Sequence, residues 1–148
     1  MQKRSGTIAA ALSVLICGYP LLIGCSTYDN NTAFQNAVEK HLAGDYLGAI
    51  THYNKELEVN PQDEDVYYNR GNAKNKLGDY SGAISDYNKT IELNPKSANA
   101  YLNRGVAKIN SGDNLGAVDD FSKAIEIKPN YIKAYFNSGM AKVNLEDY

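Results

Sequence analysis

Cysteine is nearly absent from this chain and is confined to one end, with Cys17 and Cys25 the only two in 148 residues. Everything after Cys25 lacks thiols, which excludes a disulfide framework or a cysteine-built metal site there. Histidine is equally scarce. His41 and His52 stand alone, outside any metal or catalytic motif, and read as helix-surface residues. No serine or cysteine has the surroundings of a nucleophile, and no glycine-rich phosphate loop is present, so the chain offers no catalytic site, metal site or cofactor site. A strong charge of either sign is also missing. The 15 basic and 17 acidic residues leave a net charge of −2, two units more negative if Lys3 and Arg4 are removed. Nucleic acid would find no basic surface on such a chain. What remains, 43% hydrophobic and 22% charged, is ordinary for one modest globular domain.

One long apolar run is present. Residues 1–4 are short and basic, 7–23 are almost wholly apolar, and the run closes on Gly24 and Cys25. This is a secretory leader profile. The tetrapeptide Leu22-Ile23-Gly24-Cys25 resembles the bacterial lipoprotein signal, in which a cysteine after a small residue becomes the lipidated N-terminus; Ile16 makes Cys17 the poorer match. That resemblance implies a leader over 1–24, lipid on Cys25, and a short polar tether over 25–32. With two or more acyl chains, at about 0.8 kcal/mol per buried CH2, anchoring would be stable. The protein would be exported and membrane-anchored, and Ser26 after the cysteine points to the outer membrane of a Gram-negative cell. An uncleaved membrane helix is the other reading that the length of the run permits.

From residue 30 the chain repeats itself. Pro61, Pro95 and Pro129 stand 34 residues apart, and the same step relates Gly44 to Gly78 and Gly112, and Ala49 to Ala83 and Ala117. A period of about 34 with this punctuation predicts stacked helix-turn-helix units. The units are 30–63, 64–97, 98–131 and a half repeat, 132–148. In the second, a helix over Asp63 to Leu77 should stop at Gly78, where a left-handed conformation closes it. Asp79 should cap a helix over Tyr80 to Leu93, whose Tyr80, Ala83, Ile84, Tyr87 and Ile91 share one face before Asn94-Pro95 ends it. Asp63-Glu64-Asp65 falls at a helix start, where the helix dipole favours negative charge, so the run needs no metal.

These residues resemble the tetratricopeptide repeat family over residues 30–148. The shared features are a bulky residue before a helix-packing glycine (Tyr67 and Gly71, Tyr101 and Gly105, Tyr135 and Gly139), the Gly-Asp turn, a small-aromatic pair (Ala49 with Tyr53, Ala83 with Tyr87, Ala117 with Phe121) and the closing proline. The resemblance implies an all-α fold, a solenoid of antiparallel helix pairs wound into a right-handed superhelix. The first repeat is weaker, with Ala33 and Ala37 in place of tyrosine and glycine, as expected of a terminal unit. Arg70 and Arg104 depart from the family, which usually has leucine there. They occur where Asp86 and Asp120 occur, whereas the first repeat has Asn36 and His52 in those positions. The comparison predicts Arg70–Asp86 and Arg104–Asp120 pairs across each hairpin.

In this family the first helix of each pair lines a concave groove. The corresponding residues are Asp65, Tyr68, Asn69 and Asn72, then Asn99, Leu102, Asn103 and Val106, then Lys133, Phe136, Asn137 and Met140. Asn69, Asn103 and Asn137 form a row one period apart, and an amide that both donates and accepts can grip the backbone of an extended peptide. Three such bonds at about 1 kcal/mol each fall short of millimolar binding, so Tyr68, Leu102 and Phe136 would have to supply the rest. The family's clamp for a C-terminal carboxylate is missing, because its cationic positions hold Phe34, Asn99 and Asn103, and moving one repeat onward recovers only Lys133. The expectation is a lipid-anchored scaffold, an assembly factor for envelope machinery, with a protein or peptide ligand. The alternative is the interaction module of a longer enzyme. Half a repeat remains at the end, where Leu145-Glu146-Asp147-Tyr148 matches Leu77-Gly78-Asp79-Tyr80. That match reads as a fragment of a longer array; the other reading is a closing helix over Ile132 to Leu145 that covers the third repeat.

Overall fold

The computed structural model describes residues 30–146. The expected leader, Cys25 and the tether up to residue 29 lie outside the described residues. Seven helices and no strands occur among the described residues: α1 Asn30–Leu42, α2 Tyr46–Val59, α3 Glu64–Lys76, α4 Tyr80–Leu93, α5 Ala98–Asn110, α6 Asn114–Ile127 and α7 Ile132–Glu146. α1 begins at Asn30, three residues inside the stretch read as tether.

Local chemistry sets these limits. Asp45, Asp79 and Asp113 each accept a hydrogen bond from the backbone N–H three residues on, at 2.9 Å, and so begin α2, α4 and α6. Asp63 accepts from the N–H groups of Asp65 and Val66 to start α3. Gly78 has φ +81°, which a side chain rarely tolerates, and it turns the chain from α3 into α4.

Each helix packs on the next along the chain, and the first helices of successive repeats also touch in the order α1, α3, α5, α7. Tyr53, Tyr87 and Phe121, one period apart, are fully buried. A fully buried aromatic of this kind contributes roughly 1.5–3 kcal/mol. The Tyr87 ring lies so close to α3 that a Cβ on Gly71 would sit 2.8 Å from it, and one on Gly105 would sit 2.6 Å from the Phe121 ring.

Both predicted ion pairs form. Arg70 donates from Nε to Asp86 Oδ2 at 2.9 Å and from Nη2 to Oδ1 at 2.6 Å, and Arg104 grips Asp120 with the same two-pronged geometry. Two further partners join each pair. Lys74 and Lys108 reach the same carboxylates at 2.8 and 2.9 Å, and Asn54 and Asn88, from the second helix of the preceding repeat, accept from the arginine Nη1 at 2.7 Å. The arginines therefore tie neighbouring repeats together as well as closing their own hairpins.

Candidate groove for a polypeptide

The first helices α3, α5 and α7 carry the residues expected to line a groove, and the structure sorts them into three groups. Tyr68, Asn72 and Asn103 are bound to one another. The Asn103 amide nitrogen donates to the Tyr68 hydroxyl at 3.0 Å and to Asn72 Oδ1 at 2.8 Å, and Tyr87 donates to the same Asn72 oxygen at 2.8 Å. Burial raises the Tyr87 phenol far above its ordinary range, so it remains a donor. Both amide hydrogens of Asn103 are committed, and its Oδ1 alone is left for a ligand.

Asn69 and Asn137 behave differently for a reason the period makes plain. Asn103 is preceded one repeat earlier by Tyr68 and Asn72, which carry polar atoms. The equivalent predecessors of Asn69 are Phe34 and Val38, and those of Asn137 are Leu102 and Val106. Lacking polar neighbours, Asn69 spends one amide hydrogen on the carbonyl of Asp65 in its own helix, at 2.8 Å, and keeps its other hydrogen and its oxygen. Asn137 is half-buried. The row of three amides is regular in position and irregular in bonding.

The apolar members also divide. Leu102 is 6% exposed and belongs to the core with Phe121 and Ala117, and Val106 packs against that core. Leu102 is thus a correction to the expected lining: it supports the stack and offers a ligand little surface. Phe136 and Met140, their counterparts one period on, are 66% and 50% exposed. Asn99 accepts from the Tyr131 hydroxyl at 2.6 Å, and burial holds that phenol above its usual range. Beside it, between the starts of α3 and α5, lies a polar cleft of about 120 Å³ lined by Glu64, Asp65, Tyr68, Thr90, Asn94 and Asn99. Lys133 is exposed at the start of α7.

The roles of Lys74, Lys108, Asn54 and Asn88 were missed in the sequence, although each pair is related by the same 34-residue step as the arginines. His41 lies edge-on to the Tyr46 ring, 5.2 Å between centroids, and burial together with nearby Lys76 lowers its pKa. No group of three or more His, Cys, Asp or Glu side chains that could hold a metal ion occurs among the described residues, and no described helix is long and apolar enough to cross a membrane.

Comparison with known proteins agrees with this architecture. The family described as TPR repeat matches residues 39–78 and 71–112, and a second description, tetratricopeptide repeat, matches 98–131. The first TPR of Spaghetti (RPAP3), bound to the HSP90 peptide SRMEEVD, is similar with a TM-score of 0.77 at 24% identity, over 80% of this chain and 94% of that one. The TPR2B domain of yeast Sti1, in a complex with pHsp70, gives 0.74 at 23% identity over 78% and 97%. MamA gives 0.77 at 25% identity over 80% and 69%. No curated protein sequence matches the chain.

Proposed function

The chain belongs to the tetratricopeptide repeat family, and on that premise we propose that it is a membrane-anchored interaction protein whose groove holds an extended segment of another protein. The observation that carries the reading is the free hydrogen-bonding capacity on the face of α3, α5 and α7. Asn69 keeps one donor and an acceptor, and Asn103 keeps an acceptor. Exposed Phe136 and Met140 supply the apolar surface beside them. Such a face reads backbone amides and one or two apolar side chains. It carries no cluster of free cations, so an acidic tail is a poor fit and a neutral or mildly basic segment a better one. Anchoring through lipid on Cys25 rests on the leader profile, as does placement in an envelope and a role in assembling its machinery.

The groove is tested by affinity capture from membranes with the intact protein beside an Asn69→Ala/Asn137→Ala variant, whose changes leave the Tyr68–Asn72–Asn103 network in place. A partner recovered by the first and lost by the second supports the reading; equal recovery overturns it. Mass spectrometry of the mature N-terminus tests the anchor. An acylated Cys25 is expected, and a retained Met1 or an unmodified Cys25 would dismiss it.

A further inference from the structure

One rim of the groove changes sign along the array. Asp65, Asn99 and Lys133 hold one position of the repeat, near the starts of α3, α5 and α7, and all three are exposed. α5 follows α3 and α7 follows α5 without covering Asp65 or Asn99, so this position stays open inside the array. The neighbouring positions follow the same order. α3 starts with Glu64 after the capping Asp63, where α5 has Ala98 after Ser97 and α7 has Ile132 after Tyr131. Lys96 lies between the two ends, in the turn before α5. In the turn before α7 stands Lys128, with its Nζ 4.6 Å from the centre of the Tyr131 ring. The rim thus runs from carboxylates at α3 to ammonium groups at α7.

None of Glu64, Asp65, Lys128 and Lys133 takes part in an ion pair among the described residues. Lys89 and Lys123 on the second helices, by contrast, are each held by a glutamate three residues on. Unpaired charges of opposite sign at the two ends of a groove favour a ligand whose own charges are set the opposite way, and oppose one with the reverse order. First helices two steps apart stand roughly 16–20 Å apart at ordinary packing distances. An extended chain, at about 3.3 Å per residue, covers that span in about five or six residues.

We infer that the segment held in the groove carries a basic residue over Glu64 and Asp65 and an acidic residue over Lys133, about five or six residues apart. The inference rests on the groove reading and adds the charge order of its ligand. Asn69 and Asn103 can bind any backbone, so they leave the register of the segment open, and the rim sets it. A segment with two charges of one sign would meet repulsion at one end. Each lost pair should weaken binding about two- to fivefold, the range of an exposed ion pair.

The test selects random linear peptides of about twelve residues, displayed on phage, against the full chain, and remakes the selected sequences as synthetic peptides for fluorescence anisotropy. Lys or Arg should be enriched together with Asp or Glu at that separation. Asp65→Asn with Glu64→Gln, which keeps the acceptor for the Asn94 amide, should abolish enrichment of the base alone, and Lys133→Met that of the acid alone. Lys76→Met, at the last residue of α3, changes the net charge as much as Lys133→Met and should alter neither. Each rim variant should bind the parent's peptides about two- to fivefold more weakly, and high salt should remove the difference. Peptides that lose binding to the Asn69→Ala/Asn137→Ala protein yet show no paired charges, or show the same charges on every variant, would overturn the charge order and leave the groove standing. Peptides indifferent to those asparagine changes, or no selected peptide at all, would overturn both.

Discussion

Asp86 and Asp120 are each 3% exposed, and each faces an arginine and a lysine. A buried carboxylate is stable only while its partners remain, and those partners in turn are held in partly desolvated positions. Removing one member therefore removes more than one bond. Asp86→Asn should destabilise the protein by about 3–5 kcal/mol, the usual effect of breaking a buried pair on one side. Replacing Arg70, Lys74 and Asp86 together by apolar residues of similar size should be much milder, and urea unfolding of the two variants compares them directly. Arg70→Lys should not be silent either, because an ammonium cannot hold both Asp86 oxygens and Asn54 in one plane. The asparagine row shows the same dependence on neighbours. Asn103→Ala would strip Asn72 and Tyr68 of a shared donor, costing about 1 kcal/mol of stability, so loss of ligand binding in that variant would have two causes.

Helix limits were highly legible in the sequence because they are set within a few residues. A helix expected over 63–77 is α3 at Glu64–Lys76, and one expected over Tyr80 to Leu93 is α4 with those bounds. Asp79, Gly78 and Pro95 act on their own backbone neighbourhood, so their chemistry needs no knowledge of the fold. The face of a helix is less legible, since what it meets lies a repeat away. Asn69 and Asn103 occupy one position of the repeat, yet their partners differ because Phe34 and Val38 precede one and Tyr68 and Asn72 the other. Leu102 was read as lining, although α6 and α7 enclose it. The glycines give the sharpest test at this scale. Gly71→Ala and Gly105→Ala push a Cβ into a fully buried ring and should cost about 1–3 kcal/mol through overpacking. Thermal melts should place both well below the parent protein.

A solenoid is stabilised unit by unit, so its weakest repeat opens first. Here that unit is the first. Its hairpin has Asn36 and His52 where the others have arginine and aspartate, and Lys40, the counterpart of Lys74, turns instead to solvent-exposed Asp45 at 2.8 Å. Its second helix also carries Glu56, 5% exposed, at the position of Thr90 and Ala124, and the Glu56 Oε2 atom is buried without a hydrogen-bond partner. Burial first, and the Asp63 carboxylate second, raise the Glu56 pKa. The consequence has a definite sign. With its folded pKa above the unfolded value, Glu56 stabilises the fold fully below the unfolded value, and that contribution is lost as pH rises through the folded pKa. Above the folded pKa the group is charged, with its buried Oε2 atom unpaired. Hydrogen exchange should therefore show α1 and α2 opening more readily than α3 to α6. Glu56→Thr, which installs the residue of the next repeat, should slow exchange in α1 and α2 at pH 7 and have less effect at pH 4, where the native carboxyl is already gaining its proton. Equal protection of the first and second repeats in the parent protein at pH 7 would contradict this order of opening, and an identical Glu56→Thr effect at both pH values would remove Glu56 ionisation as its cause.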